Sequence, residues 1–476
     1  MSTENGGNTA AENPVRELLV FDRSAMFNFD KTPGDMPWRD HVVEYLRVAA
    51  SIEHALMVQY LFAAYSLNSQ AKASEEDQQQ VVGWRDLLLS IAREEMGHFL
   101  TVQNVLCLLG AQTELMRDYQ YGDQDFHPFP FQLEPLTMDS LNRYTVAEMP
   151  DKIPEAIEEF EKIKDELIKY RKNLPRDPGT PHVGEIYQYV LDVIHRIPDC
   201  EFHEDTYRFQ ASWDDWGRGY NTKAPMHGNT EIALLAEHIL SGDPRRANVI
   251  IERVATRTQV KAALRRISEQ GETPPTMFME SHFQRFFVIR MQFDKLQKKY
   301  GENWAIHRVA ENPCTPASIV RPGSMIRCHR SAQWADLFDI RYHMLLSYLG
   351  HTFELACDGS DARLRGAVIH KVFGEMYNLK AIAGILVRRP LNDTDDPNDP
   401  RAGPPFTFPA SWKPPTWQGH GNLIAQAVRL NDALSAATDI PAHEHAYLQT
   451  LGKGDEDAAN WIDKVIAGSK PKSATP

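Results

Sequence analysis

Glu53 stands where a helical protein would ordinarily place a leucine. Its neighbours at i−7, i−4, i−3, i+3, i+4 and i+7 are Leu46, Ala49, Ala50, Leu56, Met57 and Tyr60, so it falls in the middle of an apolar stripe. A buried carboxylate is costly unless a base, a hydrogen-bond network or a metal ion accompanies it. Glu95 repeats the anomaly, with Leu88, Ile91, Ala92, Phe99 and Val102 around it and His98 one turn later on the same face. Glu-x-x-His on a buried face aims a carboxylate oxygen and an imidazole nitrogen at a common point, as a first-row metal requires. Glu94 also precedes His98 by one turn, but Ser90, Gly97 and Thr101 beside it are small or polar, which favours Glu95. A lone Glu-x-x-His also suits a salt bridge inside a helical core. A second buried Glu on the adjacent helix shifts the balance toward a metal.

Long helices must position these groups. An apolar helical period runs from about residue 40 to 67 without Gly or Pro, and a second from about 78 to 109, ending at Gly110 as a C-cap. The two predict an antiparallel hairpin. Residues 112–150, rich in Phe, Pro and Tyr, read as a long irregular crossover. Further helices are expected over about 154–172 (charged and solvated), 182–195, 248–271 and 280–300. A second hairpin is expected at 335–357 and 363–387, with weaker helices at 421–437 and 455–467. The fold class is therefore mainly α. The chain divides into a flexible leader (1–37), a bundle (38–300), an added helical hairpin (301–389), and a Pro-rich linker with C-terminal helices (390–476).

Composition excludes several functions. The 476 residues carry 51 Lys+Arg against 65 Asp+Glu, a net charge of −14, without the basic concentration that nucleic acid requires. The five cysteines form no CxxC pair, so neither a disulfide framework nor a thiolate zinc site is expected. There is no signal-peptide h-region and no apolar run of membrane-spanning length, and we expect a soluble cytoplasmic protein without membrane partners. No GxGxxG, P-loop or CxxCH is present, which leaves no nucleotide, flavin or haem-attachment motif. Two other ionisable clusters, His443-Glu444-His445 and Cys200-Glu201-Phe202-His203, read as local; the first is expected in an exposed loop.

Several motifs together resemble a known family. These are the Glu53-to-Tyr65 helix, EEMGH, the FHPFPFQLEPL crossover, the GEIY helix start and the EQGE and ESHFQRF pair. In order and content they are similar to the ferritin-like domain of violacein biosynthesis protein B and chromopyrrolic acid synthase, a family also described as iminophenyl-pyruvate dimer synthase-like. The resemblance spans about residues 38–300 and continues more loosely through 335–388 and GPPFTFP. It implies a ferritin-like four-helix bundle with long crossover insertions and an additional C-terminal helical region. Such bundles hold two metal ions with one Glu from each of two helices and a Glu–His pair from each of the others. Carried over, the set is Glu53, Glu95 with His98, Glu185, and Glu272 with His282.

Two members of that set stand apart. Glu185 sits near a helix start, where the dipole favours an acid anyway, and His182 is an alternative there. Glu272 and His282 are ten residues apart, about 15 Å along one continuous helix, so Pro274-Pro275 must break it for both to reach one site. Without that break the site would hold a single metal, and Glu269 and Glu280 are second-rank substitutes. Carboxylate and imidazole ligands suit iron, two ions, with manganese as the substitute. The resemblance then implies a non-haem di-iron oxidase or oxygenase of specialised metabolism, using dioxygen on a small, amino-acid-derived aromatic substrate. The alternatives are an iminophenyl-pyruvate-type oxidative dimer synthase and a non-catalytic iron-binding or ferroxidase protein. Gly97 and the aromatic residues Tyr60, Tyr65, Phe99 and Tyr187 could shape an adjoining pocket, although aromatics at helical spacing are more often plain core. Trp412, Trp417 and His420 could cap that pocket or bury a homo-oligomer surface.

Overall fold

The computed structural model describes residues 36–117, 131–149, 158–173, 183–216, 249–272, 281–316, 323–394, 396, 398–407 and 415–469. Helix α1 (Trp38–Ser66) buries Ala49, Ala50, Ala63 and Ala64, small side chains that let α2 (Glu75–Leu108) lie close alongside it. Ser74 caps α2 by accepting from the Asp77 N–H, and Glu75, Glu76 and Asp77 put negative charge at the positive helix end. The helix stops before Gly110, whose φ of +64° suits glycine. The expected hairpin is therefore present, with ends shifted by a few residues.

The crossover differs from expectation. Helix α3 (Met138–Ala147) forms within the stretch read as irregular, because a Thr137/Ser140 capping box starts it and Leu141, Tyr144, Val146 and Ala147 give it a buried face. Helix α4 (Glu158–Asn173) packs against α3. After α5 (Val183–Val193) come three short 3-10 turns, at Ile194–Arg196, Asp199–Glu201 and Glu204–Phe209, and the one-turn α6 (Trp213–Trp216). The helix expected from 248 begins only at Arg257. Ahead of it, residues 249–254 are held against α2 by side chains that replace regular backbone pairing. Thr101 donates to the Ile250 carbonyl at 3.2 Å and accepts from the Glu252 N–H, while Asn104 donates to the carbonyls of Glu252 and Ala211.

Helix α7 (Arg257–Glu272) ends where the break was expected, and α8 (His282–Tyr300) begins after a second capping box, Ser281 with Gln284. Helix α5 packs on α1 and α7, and α8 packs on α3 and α2, so α1, α2, α5 and the split α7–α8 pair form the bundle. The C-terminal region adds two further hairpins, α9 (His329–Thr352) with α10 (Ala362–Leu386) and α11 (Trp417–Ser435) with α12 (Ala442–Ser469); α11 also packs on α9. Buried Arg341 of α9 ties them, with Nη1 2.7 Å from Asp455 of α12 and 3.2 Å from Glu375 of α10. Because α12 starts earlier than predicted, His443-Glu444-His445 is its first turn and not a loop, and Glu444 is buried against Arg389.

His54 joins the two regions. Its Nδ1–H donates to the Leu115 carbonyl at 3.0 Å, so the Tyr342 hydroxyl donates to Nε2 at 2.5 Å. Sheet is confined, among the described residues, to the two-residue parallel pair β1 (Pro313–Cys314) and β2 (Ser324–Met325). No described helix is long and apolar enough to cross a membrane, and the five cysteines are free.

Candidate metal centre

Glu53 on α1 and Glu95 and His98 on α2 meet in the bundle interior, each no more than 3% exposed. The His98 Nδ1 lies 3.0 Å from Glu95 Oε2 and 3.4 Å from Glu53 Oε2. The Ser281 cap fixes His282 as the first residue of α8, and its ring stacks beside that of His98 at 5.5 Å. His282 Nδ1 lies 2.9 Å from Glu95 Oε1 and 3.7 Å from Glu148 Oε2. The result is two similar halves, Glu53–His98 and Glu148–His282, joined through the two oxygens of Glu95.

The outward atoms of both halves are held. Tyr187 of α5 donates to Glu53 Oε1 at 2.5 Å, and Tyr60 of α1 donates to Glu148 Oε1 at 2.5 Å, which leaves each Oε2 facing the centre. His98 Nε2 meets the Gln270 side-chain amide oxygen, Oε1, at 2.8 Å, and His282 Nε2 meets Glu94 Oε2 at 2.9 Å. Both acceptors require a proton on Nε2, which puts a lone pair on each Nδ1 when the ring is neutral.

Electrostatics show what holds the cluster as it stands. Burial pushes the Glu53 carboxyl up to about 7, against the pull of His98. Burial would lower the His98 imidazole, but Glu53 and Glu95 overcome it and drive it up to about 10; His282 is likewise held well above its ordinary value, chiefly by Glu95. Glu94, despite full burial, is kept near 2 by Arg285 and His282. Protons on the two rings thus offset the charge of Glu95, which both rings face. Even so, among the described residues the buried Glu95 Oε1 and His282 Nδ1 make no hydrogen bond, although 2.9 Å apart. Two inward lone pairs, three carboxylates and unsatisfied buried atoms fit a divalent cation in either half: Glu53, Glu95 and His98 in one, Glu95, Glu148 and His282 in the other.

Of the expected ligands, Glu53, Glu95, His98 and His282 come together. Glu185 does not: Ile186, Tyr187, Val190, Leu191 and Ile194 form the buried face of this segment, and Glu185, Gln188 and Asp192 share the solvent face. Tyr187 is the α5 residue that reaches the site. The side chain of Glu272 lies outside those described, as do His182, Pro274, Pro275 and Glu280; Glu269 is absent from both groups. Gly97 serves packing instead of a pocket, since a Cβ there would lie 2.7 Å from the Ile250 carbonyl oxygen and 2.8 Å from Val249 Cγ1. Phe99 packs on His54. Sequence reasoning missed Glu148, whose signal was weak: a single acid between Val146, Ala147 and Met149, at the end of a helix it did not foresee.

A cavity with about 350 Å³ of space, its mouth included, opens onto the cluster. Leu56, Ala147 and Ile267 give it apolar walls, Tyr187 and Ser268 offer hydroxyls, and Gly184 and Gly271 leave room. At Gly271 a Cβ would come 3.2 Å from Glu148 Oε2, so glycine there lets α7 approach that carboxylate.

Comparison with known proteins bears on the family of the fold. Dichlorochromopyrrolate synthase of Lentzea aerocolonigenes is 29% identical over 384 residues, covering 74% of this chain and 35% of that protein. The 2-imino-3-(indol-3-yl)propanoate dimerase of Chromobacterium violaceum is 33% identical over 148 residues, 26% of this chain and 14% of its own. The chain spans about a third or less of the length of these curated relatives. No solved structure matches. The ferritin-like family pattern matches residues 46–291, more than half of the sequence and all of the residues that form the two half-sites. The chain belongs to the ferritin-like family.

Proposed function

We propose that this chain is a di-iron oxidase or oxygenase that uses dioxygen on a small aromatic substrate derived from an amino acid. The observation that carries the reading is Glu95, whose two oxygens each face an inward imidazole Nδ1, with the Oε1 side left unsatisfied. Glu53, Glu95 and His98 would hold one ion, and Glu95, Glu148 and His282 the other, with manganese as the substitute for iron. When bound, such a pair supplies dioxygen binding and redox equivalents, which the side chains lining the cavity do not have. The chain's own residues do the rest. Tyr187 and Tyr60 pin one oxygen of Glu53 and of Glu148, so the other oxygens stay aimed inward. Leu56, Ala147 and Ile267 exclude water and offer apolar contact to a flat ring, while the Ser268 hydroxyl supplies a polar contact at the wall.

The name of the Chromobacterium violaceum relative favours one substrate class, an indolic 2-imino acid, and with it a second reading in which the oxidised product couples to a dimer. Both readings predict about two irons per chain after purification without an affinity metal, lost in Glu95→Gln. Both also predict oxygen uptake that depends on an aromatic imino acid. Dimer formation by this chain alone supports the second reading and monomeric oxidised product the first. Metal binding without substrate-dependent oxygen uptake would leave only an iron-binding protein.

A further inference from the structure

We propose that Glu94 makes the two half-sites unequal, so that the half containing His282 binds its metal ion more tightly and fills first. The inference rests on the two-metal reading above and goes beyond it by assigning an order to the halves. Among the described residues they match in three respects: each has one carboxylate pinned by a tyrosine hydroxyl at 2.5 Å, one oxygen of Glu95, and one imidazole offering Nδ1. They differ in what backs the ring. Behind His98, Nε2 meets the neutral amide oxygen of Gln270 at 2.8 Å. Behind His282, Nε2 meets the carboxylate of Glu94 at 2.9 Å.

The difference has a definite direction. A carboxylate acceptor draws the Nε2 proton toward itself and leaves the ring more electron-rich, so Nδ1 becomes the better donor to a cation. It also places a formal negative charge one ring away from that cation, where water cannot screen it, since Glu94 is fully buried. Arg285 donates to the same Glu94 oxygen and also to the Ser90 hydroxyl at 3.1 Å, which holds the carboxylate in place. The guanidinium, bonded to the same oxygen, tempers the charge but leaves a carboxylate as the acceptor behind the ring. A second opposing influence is the N-terminal end of α8, whose partial positive charge disfavours a cation at His282. That partial charge is smaller than the full charge in contact with the ring. Outer partners of metal-bound histidines typically change affinity 10–100-fold when removed. We assign Glu94 a positioning role and not a ligand role, because its oxygen faces the outer nitrogen.

The test is a titration of metal-free protein with Mn(II), following free Mn(II) by electron paramagnetic resonance and bound metal by elemental analysis. Wild type should show two sites with distinct dissociation constants. In Glu94→Gln the tighter constant should weaken 10–100-fold toward the other, with two ions still bound at saturation. In Gln270→Glu the weaker site should tighten toward the stronger. That gain distinguishes electronic backing from a merely structural contact, and it does not depend on Glu94→Gln folding well. Two identical constants in wild type, or two constants that neither substitution moves, would overturn the assignment of Glu94 while leaving the two-metal reading intact. Folded wild type that binds no Mn(II) and no Fe(II) would overturn the two-metal reading itself, and the inference with it.

Discussion

Gly97→Ala sets two effects of opposite sign against each other, and the structure decides between them. In an unencumbered helix interior the change from glycine to alanine stabilises by about 1 kcal/mol. Here the new methyl carbon would lie 2.7 Å from the Ile250 carbonyl oxygen and 2.8 Å from Val249 Cγ1, so the 249–250 segment must retreat by about 0.6 Å to reach ordinary contact. That segment is not free to move. Thr101 bonds both Ile250 and Glu252, and Asn104 bonds Glu252 and Ala211 at 2.9 and 2.8 Å. Losing two of those bonds costs about 1–3 kcal/mol, and overpacking adds about 1–3 kcal/mol. The net expectation is destabilisation of about 1–5 kcal/mol despite the gain in helix propensity. Urea unfolding of metal-free wild type and variant checks it, read as a lowered midpoint at unchanged slope. A Gly97→Ala protein as stable as wild type or more so would mean that the segment yields freely and that the close approach is not why glycine stands between Glu95 and His98.

Three further perturbations follow from buried polar contacts. Asp455→Ala leaves Arg341 with Glu375 alone in a fully buried setting and should cost about 3–5 kcal/mol, seen as early melting of the C-terminal hairpins by hydrogen exchange; protection unchanged in α9 and α12 would contradict the role of this network. Burial holds His351 down to about 4 and His420 to about 3, and the two rings bond at 2.7 Å across α9 and α11. The unfolded chain therefore takes up these protons first, so their stability is full above pH 6.5 and is lost as pH falls toward 4, by about 3 kcal/mol for His351. Urea midpoints at pH 7, 5 and 4 should converge between wild type and His351→Gln, and parallel curves would refute this. Tyr187→Phe removes the hydroxyl that Glu53 Oε1 accepts from, and should lower the stability of the metal-free protein by about 1–3 kcal/mol, with a weaker metal constant in one half only; equal weakening of both halves would contradict the pairing of Tyr187 with Glu53.

Much of the centre was legible because its residues violate a pattern. Glu53, Glu95 and His98 lie on long helices with unbroken apolar periods, and an acid in such a stripe is visible from its neighbours alone. Glu94, passed over as a ligand in favour of Glu95, shows the pattern in reverse. Ser90, Gly97 and Thr101 made its face look polar, whereas these small residues admit Arg285 and the 249–254 segment, and Glu94 is as buried as Glu95. The early start of α12 was hidden because its first turn, Ala442 to His445, carries polar side chains, of which Glu444 is buried by pairing with Arg389 and not by apolar packing. Tyr60 and Tyr187 looked like core aromatics, and they are core; what periodicity does not report is that their hydroxyls end on carboxylates.

Glu148 faces the cluster and Glu185 faces solvent, and this difference from expectation shows where periodicity stops informing. A helix period tells which residues share a face, but it does not tell which face meets the centre. On α5 the in-facing register is set by Ile186, Val190 and Ile194, and this carries Tyr187 inward and Glu185 outward. The carboxylate facing His282 comes instead from the residue that ends α3. The cause lies in the split of the fourth helix. With α7 ending at Glu272 and α8 restarting at His282, α8 packs on α3 more than on α5, and His282 meets the acid at the C-terminal end of α3. Gly271 then supplies the clearance that lets Glu148 reach in from that side. A side chain whose place depends on a helix break, a crossover helix and a glycine on a third element carries no periodic signature of its own, and only the packing of all three reveals it.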